Sequence, residues 1–256
     1  LSKVKDVFSC SLLNGVTGSG KTEVYFQAIA DQLIAGKRTL LLVPEIGLTH
    51  QLLQRLEQRF NNRVLALHSG LTEHQRLNAW QQAGLGQADI IIGTRSALFT
   101  PIPDLGLIII DEEHDQAYKQ QEGFRYHGRD LAIKRASNAK IPILLGSATP
   151  SLESLANVAR GRFSQWLLTQ RAGIASTQTY EVVDLRNQPQ SAGISEQLQA
   201  MIQVQLDLGH QVLLMLNRRG FAPSLQCQSC GSTAQCPACD ANMTLHRRPP
   251  RLHCHH

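Results

Sequence analysis

The chain has 256 residues, 42% of them hydrophobic, which is enough for one large core and part of a second and too apolar for a disordered chain. Apolar runs such as Leu107–Ile110 and Leu40–Val43 fall far short of the roughly 18 residues a membrane helix needs, and no charged-then-apolar leader opens the sequence, so a cytoplasmic protein without membrane partners is expected. Lys plus Arg number 25 against 20 Asp plus Glu, a net +5 of which +4 lies in residues 217–256; the positive charge is local and speaks only weakly for nucleic acid by itself.

Short apolar runs alternate with helical segments from the start. Strands are predicted at Ser11–Leu13, Thr39–Val43, Val64–Leu67, Ala88–Ile92, Leu107–Ile110 and Ile143–Leu145. Helices are predicted at Glu23–Ala35, Thr49–Phe60, Thr72–Ala83, Arg129–Ser137 and Ser151–Ala159. Thr72 with Gln75 three residues on forms a capping-box start. Strands apolar throughout suit a parallel sheet buried on both faces. The fold class is therefore α/β, a doubly wound parallel sheet over about residues 1–160. From Gln165 to Gly193 the pattern loosens into a linker; Ile194–Leu208 reads as a helix and Gln211–Leu216 as a further buried strand. The lack of an initiating Met makes a fragment the expectation.

The loop after the first strand carries the most specific signal. Gly15-Val16-Thr17-Gly18-Ser19-Gly20-Lys21-Thr22 fits G-x-x-x-x-G-K-[ST]. The glycines let backbone N–H groups turn around phosphate oxygens, Lys21 would reach the terminal phosphates, and the Thr22 hydroxyl would bind Mg²⁺. Chance alone yields such an octapeptide in about one chain of this length in a hundred. Asp111-Glu112-Glu113-His114 follows a buried strand and supplies carboxylates, Asp111 for Mg²⁺ and Glu112 as base for the attacking water. The plainer reading is acids favoured at a helix N-terminus.

Other strand-ending segments are weaker. Gly146-Ser147-Ala148-Thr149-Pro150 offers hydroxyls that could sense a γ-phosphate, and Val43-Pro44-Glu45-Ile46-Gly47-Leu48-Thr49 ends an earlier strand. Thr94 and Arg95 in Gly93-Thr94-Arg95-Ser96 suit a nucleic-acid backbone. Phe124 and Tyr126 are two apart, with Lys119, Arg125 and Arg129 interleaved; aromatics for base stacking beside cations for phosphates would grip a single strand. An ordinary loop tucking these rings into the core is the alternative. Cys10 stands alone while Cys227, Cys230, Cys236, Cys239 and Cys254 crowd the final thirty residues. Two C-x-x-C pairs five residues apart in a reducing compartment point to zinc rather than disulfides.

GVTGSGKTEVY, DEEH, GSAT and NRRGF, in that order and followed by cysteine pairs, resemble the primosomal replication-restart helicases, superfamily-two DNA helicases moving 3′ to 5′. The resemblance runs from Leu12 to His256. It implies a RecA-like P-loop NTPase lobe at residues 1–164, a linker at 165–193, the start of a second lobe at 194–222 and a partial zinc-binding insertion at 223–256. It implies that Gly15, Thr17, Gly18, Ser19, Gly20, Lys21 and Thr22 bind MgATP with Asp111, and that Glu112 hydrolyses it. By the same resemblance Thr94, Arg95, Phe124, Arg125 and Tyr126 meet DNA, and Ser147, Thr149 and His114 couple the lobes. The family holds two zinc ions with four interleaved cysteine pairs, so Cys236, Cys239 and Cys254 would share one ion and Cys227 and Cys230 the other. Forked and single-stranded DNA, other primosome proteins and single-stranded-DNA-binding protein are the implied partners. Two rivals stay open: a duplex translocase that does not separate strands, and a zinc-dependent interaction module with a non-hydrolysing nucleotide site.

Overall fold

The computed structural model describes residues 7–44, 46–60, 64–171, 179–186, 190–191, 194–215, 225–227, 229–247 and 249–254. NRRGF (217–221), Glu45 and Gln188-Pro189 lie outside them. The chain divides into two units, Leu1–Ser176 and Thr177–His256.

In chain order the first unit runs β1 (Ser9–Gly15), α1 (Lys21–Ile34), β2 (Arg38–Leu42), α2 (Ile46–Phe60), β3 (Val64–Leu67), α3 (Glu73–Gly84), β4 (Ile90–Gly93) and β5 (Leu105–Ile110). A small hairpin, β6 (Lys119–Gln120) with β7 (Tyr126–His127), interrupts the alternation before α4 (Gly128–Ala139), β8 (Pro142–Ser147), α5 (Leu152–Ala159) and β9 (Ser164–Leu168). The seven-stranded sheet has the order β3-β4-β2-β5-β8-β1-β9, with every pairing parallel. Alternate strand residues feed opposite faces. Leu40, Leu42, Ile108 and Ile110 join Ala79 and Ala83 of α3, and Ala132 and Ala136 of α4. Leu41, Ile92, Leu107 and Ile109 join Tyr25, Phe26 and Ile29 of α1, and Leu56 of α2. Two buried faces explain why these strands read as unbroken apolar runs. Each fully buried Leu or Ile contributes roughly 1.5–3 kcal/mol.

Local signals are met in detail. Thr72 Oγ1 accepts from Gln75 N–H at 3.3 Å while Thr72 N–H donates to Gln75 Oε1 at 2.9 Å, closing the capping box of α3. Two expectations need correction. The linker expected from residue 165 begins later, because β9 pairs with β1 from Ser11↔Ser164 to Gly15↔Leu168. Its edge position leaves it half-exposed, with only Trp166, Leu167 and Leu168 apolar.

In the second unit, the two-residue ladder β10 (Gln190–Ser191) with β11 (Ile194–Ser195) precedes α6 (Glu196–Asp207), capped by Ser195 Oγ accepting from Leu198 N–H at 3.2 Å. The buried strand expected at Gln211–Leu216 is the second correction. Gln211–Met215 forms no strand, and Leu213 and Met215 are 95% and 86% exposed; no described strand runs beside it to take its hydrogen bonds. Leu216 is outside the described residues. A final hairpin, β12 (Thr244–Arg247) with β13 (Pro250–His253), follows the cysteine pairs.

Candidate nucleotide site and nucleic-acid interface

Parallel topology gathers the loops after β1, β5 and β8 at one edge of the sheet, where α/β proteins bind ligands. The loop after β1 turns through Gly18 and Gly20 at φ 79° and 90°, a conformation that side chains disfavour. Gly20 caps α1 without a side chain to take its first N–H groups, so these donors face outward at the positive end of the helix. A Cβ on Gly15 would lie 2.5 Å from Ser19 Oγ, and that buried hydroxyl has no hydrogen-bond partner in the structure. The cradle therefore fits a polyphosphate. Lys21 Nζ donates to Gly15 O at 2.9 Å and stands 3.7 Å from Glu112 Oε1, so the ammonium has protein partners as well as a phosphate role.

Thr22, Pro44, Arg55, Asp111 and Glu112 line one cavity of about 210 Å³. The hydroxyl and carboxylates expected to hold Mg²⁺ thus meet in one place, and this oxygen-rich set suits a hard cation. Two buried tyrosines fix Asp111. Tyr25 OH donates to Asp111 Oδ1 at 2.8 Å, and Tyr118 OH donates to the Asp111 carbonyl at 2.7 Å. Burial raises the Asp111 pKa, the Tyr25 hydrogen bond opposes it, and Glu112 adds to it. Glu112 holds φ 46°, sparsely populated for a non-glycine residue. Its Oε2 lies 3.5 Å from His114 Nδ1. His114 in turn reaches Ser147 Oγ at 2.7 Å and Thr149 Oγ1 at 3.2 Å. The three residues expected to couple are in direct contact.

Glu113 has a different environment from its neighbours. It is fully buried, and its carboxylate accepts from Arg129, Ser151 and Ser154. Arg129 is accordingly a correction. Its place in the sequence groups it with Lys119 and Arg125 as a phosphate contact, but it is buried against Glu113, whereas Lys119 and Arg125 are exposed. The pairing of Arg129 with a carboxylate sixteen residues upstream leaves no periodic trace.

The β6–β7 hairpin turns Phe124 outward and leaves Tyr126 half-buried. Phe124 is 81% exposed, which rules out the core alternative for that ring. Tyr126 sits between Phe124 and Phe99, ring centroids 6.2 and 5.4 Å away. Arg95 covers the Tyr126 ring at 5.9 Å and donates to Ala117 O at 2.9 Å; Thr94 caps the short turn Arg95–Phe99. Arg125, Lys119, Tyr126 and His127 border a cavity of about 540 Å³. Burial, then nearby Arg129, lowers the His127 pKa.

Both cysteine pairs sit in tight turns. Cys227 N–H donates to Ser232 O and Gly231 N–H to Cys227 O; Cys236 N–H donates to Ala241 O, and Ala238 N–H reaches Cys236 Sγ. The thiols of Cys236, Cys239 and Cys254 lie within 4.8 Å of one another, matching three corners of a zinc tetrahedron with bonds near 2.3 Å. Cys227 and Cys230 do not join them among the described residues. Ser232 Oγ, 3.1 Å from Cys230 Sγ, pulls that thiol down to about 7, and the Ala238 N–H lowers Cys236.

Residues 2–158 match the DEAD/DEAH box helicase model, more than half of the chain. The chain belongs to the DEAD/DEAH box helicase family. Residues 236–256 of this helicase-family chain match the PriA DNA helicase Cys-rich region (CRR) domain, where the three-thiol cluster lies. The chain is 53% identical over 249 residues to replication restart protein PriA of Haemophilus influenzae, covering 97% of this chain and 34% of that protein. It is 42% identical over 248 residues to replication restart protein PriA of Bacillus subtilis, covering 96% of this chain and 31% of that one. The chain thus spans about a third of the relatives it matches. A solved structure of RecG bound to a three-way DNA junction aligns at 27% identity and a TM-score of 0.48, over 66% of this chain and 22% of that one.

Sequence reasoning missed three helicase-site residues. Tyr25 was visible within GKTEVY, four residues past Lys21 on α1, but its bond to Asp111 is a tertiary fact. Glu113 stands within the Asp111-Glu112-Glu113-His114 segment, but its burial, like the bond from Tyr118 to the Asp111 carbonyl, has no local signal.

Proposed function

We propose that this chain is the nucleotide-binding lobe and part of the zinc region of an ATP-driven DNA helicase that moves 3′ to 5′ and restarts replication at stalled forks. The reading rests on one observation above all: Thr22, Asp111 and Glu112 line one cavity beside the phosphate loop, with His114 between Glu112 and the Ser147–Thr149 segment. Mg²⁺ held by Thr22 and Asp111 would supply charge neutralisation on the phosphates. Lys21 and the loop amides orient the nucleotide, and Glu112 takes the proton of the attacking water. His114 reports the state of that carboxylate to Ser147 and Thr149. Phe124 and Tyr126 stack on bases of a single strand while Arg125 and Lys119 meet phosphates, with Thr94 and Arg95 beside them. Cys236, Cys239 and Cys254 hold one zinc ion; Cys227 and Cys230 serve a second. The partners are forked and single-stranded DNA, primosome proteins and single-stranded-DNA-binding protein, in the cytoplasm near the nucleoid. Turnover is proposed for the whole protein, since this chain spans about a third of the relatives it matches.

The test uses the full-length protein. Lys21→Ala abolishes MgATP binding in a calorimetric titration, whereas Glu112→Gln binds MgATP and does not turn it over. Phe124→Ala with Tyr126→Ala lowers the stimulation of turnover by single-stranded DNA, since stacking is worth about 1–3 kcal/mol per base. Full turnover by Glu112→Gln removes that residue from the base role, and undiminished stimulation in the aromatic variant removes the hairpin from DNA contact.

A further inference from the structure

Three loops that the proposed function gives separate tasks converge on one buried carboxylate. Glu113 is 0% exposed. Its Oε2 accepts from Arg129 Nη1 at 3.0 Å, Ser151 Oγ at 3.0 Å and Ser154 Oγ at 2.9 Å, and its Oε1 accepts from Ser151 N–H at 2.7 Å. Four donors nearly fill what a carboxylate can accept. Arg129 is the second residue of α4, three past Tyr126. Ser151 caps α5 directly after Ser147–Pro150, and Ser154 lies in its first turn. Glu113 N–H donates to Gly146 O at 3.0 Å, tying it to the end of β8.

We infer that the Glu113–Arg129–Ser151 cluster transmits nucleic-acid contact at the Phe124–Tyr126 hairpin to Glu112 and His114. The inference rests on the proposed function. A buried ion pair cannot loosen without leaving a charge unpaired in a low-dielectric interior, so Arg129 and Glu113 move together when the hairpin moves. Glu113 is bonded in the chain to both Glu112 and His114. Glu112 lies 3.7 Å from Lys21 Nζ and 3.5 Å from His114 Nδ1, each just beyond a good hydrogen bond. A shift well under 1 Å therefore makes or breaks those contacts. Glu112 also sits at φ 46°, a conformation that persists only where its surroundings fix it. Glu113, Arg129, Ser151 and Ser154 are positioning residues; none touches the nucleotide.

The experiment compares Glu113→Gln, Arg129→Lys and the mild Ser154→Ala in the full-length protein. It reads the ratio of ATP turnover with and without single-stranded DNA, the Kd for that DNA by fluorescence anisotropy, and the melting temperature. Coupling between sites is typically worth about 5–150-fold, so the expected result is a fall in the ratio of at least about fivefold for Glu113→Gln. DNA affinity is expected to stay within about twofold and Ser154→Ala to show a smaller fall of the same kind. A lowered melting temperature with an intact ratio overturns the inference and makes the cluster a structural anchor. Should Glu113→Gln not fold, Ser154→Ala decides by the same ratio. Loss of stimulation in the Phe124/Tyr126 variant with none in the cluster variants sinks this inference alone. An unmutated protein that DNA does not stimulate sinks the proposed function with it.

Discussion

Gly146→Ala reaches the acid pair without touching it. A Cβ at this position would lie 1.7 Å from Tyr25 OH and 2.7 Å from the ring carbon bearing it. Carbon and oxygen that are not bonded rest no closer than about 3.3 Å, so the phenol must retreat by roughly 1.5 Å. Tyr25 is fully buried and is packed among Leu13, Phe26, Ile29 and Ile109, which leaves no free direction. Overpacking of this kind costs about 1–3 kcal/mol. The retreat also breaks the 2.8 Å bond to Asp111; losing a partner of a buried charged group adds about 1.5–3 kcal/mol. The sum is about 2.5–6 kcal/mol. Urea unfolding followed by tryptophan fluorescence measures it, because both tryptophans, Trp80 and Trp166, belong to the first unit. Adding Tyr25→Phe should recover part of the loss, since the hydroxyl makes the shortest contact, giving a coupling of at least about 1 kcal/mol in a double-mutant cycle. A Gly146→Ala chain within about 0.5 kcal/mol of the original would refute the packing argument.

Asp111→Asn should stabilise the metal-free chain at neutral pH. The folded-state pKa of Asp111 is raised by burial, so its favourable contribution is complete below the unfolded value and is lost as pH rises through the folded one. The variant's gain in melting temperature therefore appears toward pH 7 and vanishes near pH 4, while Mg²⁺ with nucleotide stabilises only the original chain; a gain independent of pH contradicts the burial argument. Cys254→Ser should release the zinc held with Cys236 and Cys239, and Cys227→Ser should not, by elemental analysis of the 256-residue chain. Zinc in the Cys254→Ser variant equal to that of the original chain would show that the clustered thiols are not the ligands.

Much of the lobe was legible because its signals are local. A phosphate loop is contiguous, a capping box spans four residues, and Val64–Leu67 forms its strand with the bounds its apolar run suggests. The site was legible as an order of short segments, and parallel topology then brought Thr22, Asp111, Glu112, His114, Ser147 and Thr149 together. What escaped was set by tertiary context. Nothing in Asp111-Glu112-Glu113 says that the third acid is buried under Arg129 while the second borders a cavity. Nor does the spacing of Arg125 and Arg129 reveal that one is exposed and the other enclosed. Ser164–Leu168 has only the short apolar run Trp166-Leu167-Leu168, as suits an edge strand that buries only part of itself, and Gln211–Met215 has a run without the neighbours.

The strand that carries the phosphate loop has an unusual place in time. β1 is the earliest strand described, yet it pairs with β8, about 130 residues later, and with β9, about 150 residues later. At the usual pace of synthesis, about 5–20 residues per second, its neighbours leave the ribosome many seconds after it does. Through that interval the apolar residues Leu12 and Leu13 have no sheet to enter. Val16 N–H acquires its acceptor, Leu168 O at 3.2 Å, only with β9, the last strand of this sheet in chain order. During synthesis the nucleotide cradle therefore cannot be complete before β9 has emerged, and bound nucleotide stabilises only the lobe in which it is complete.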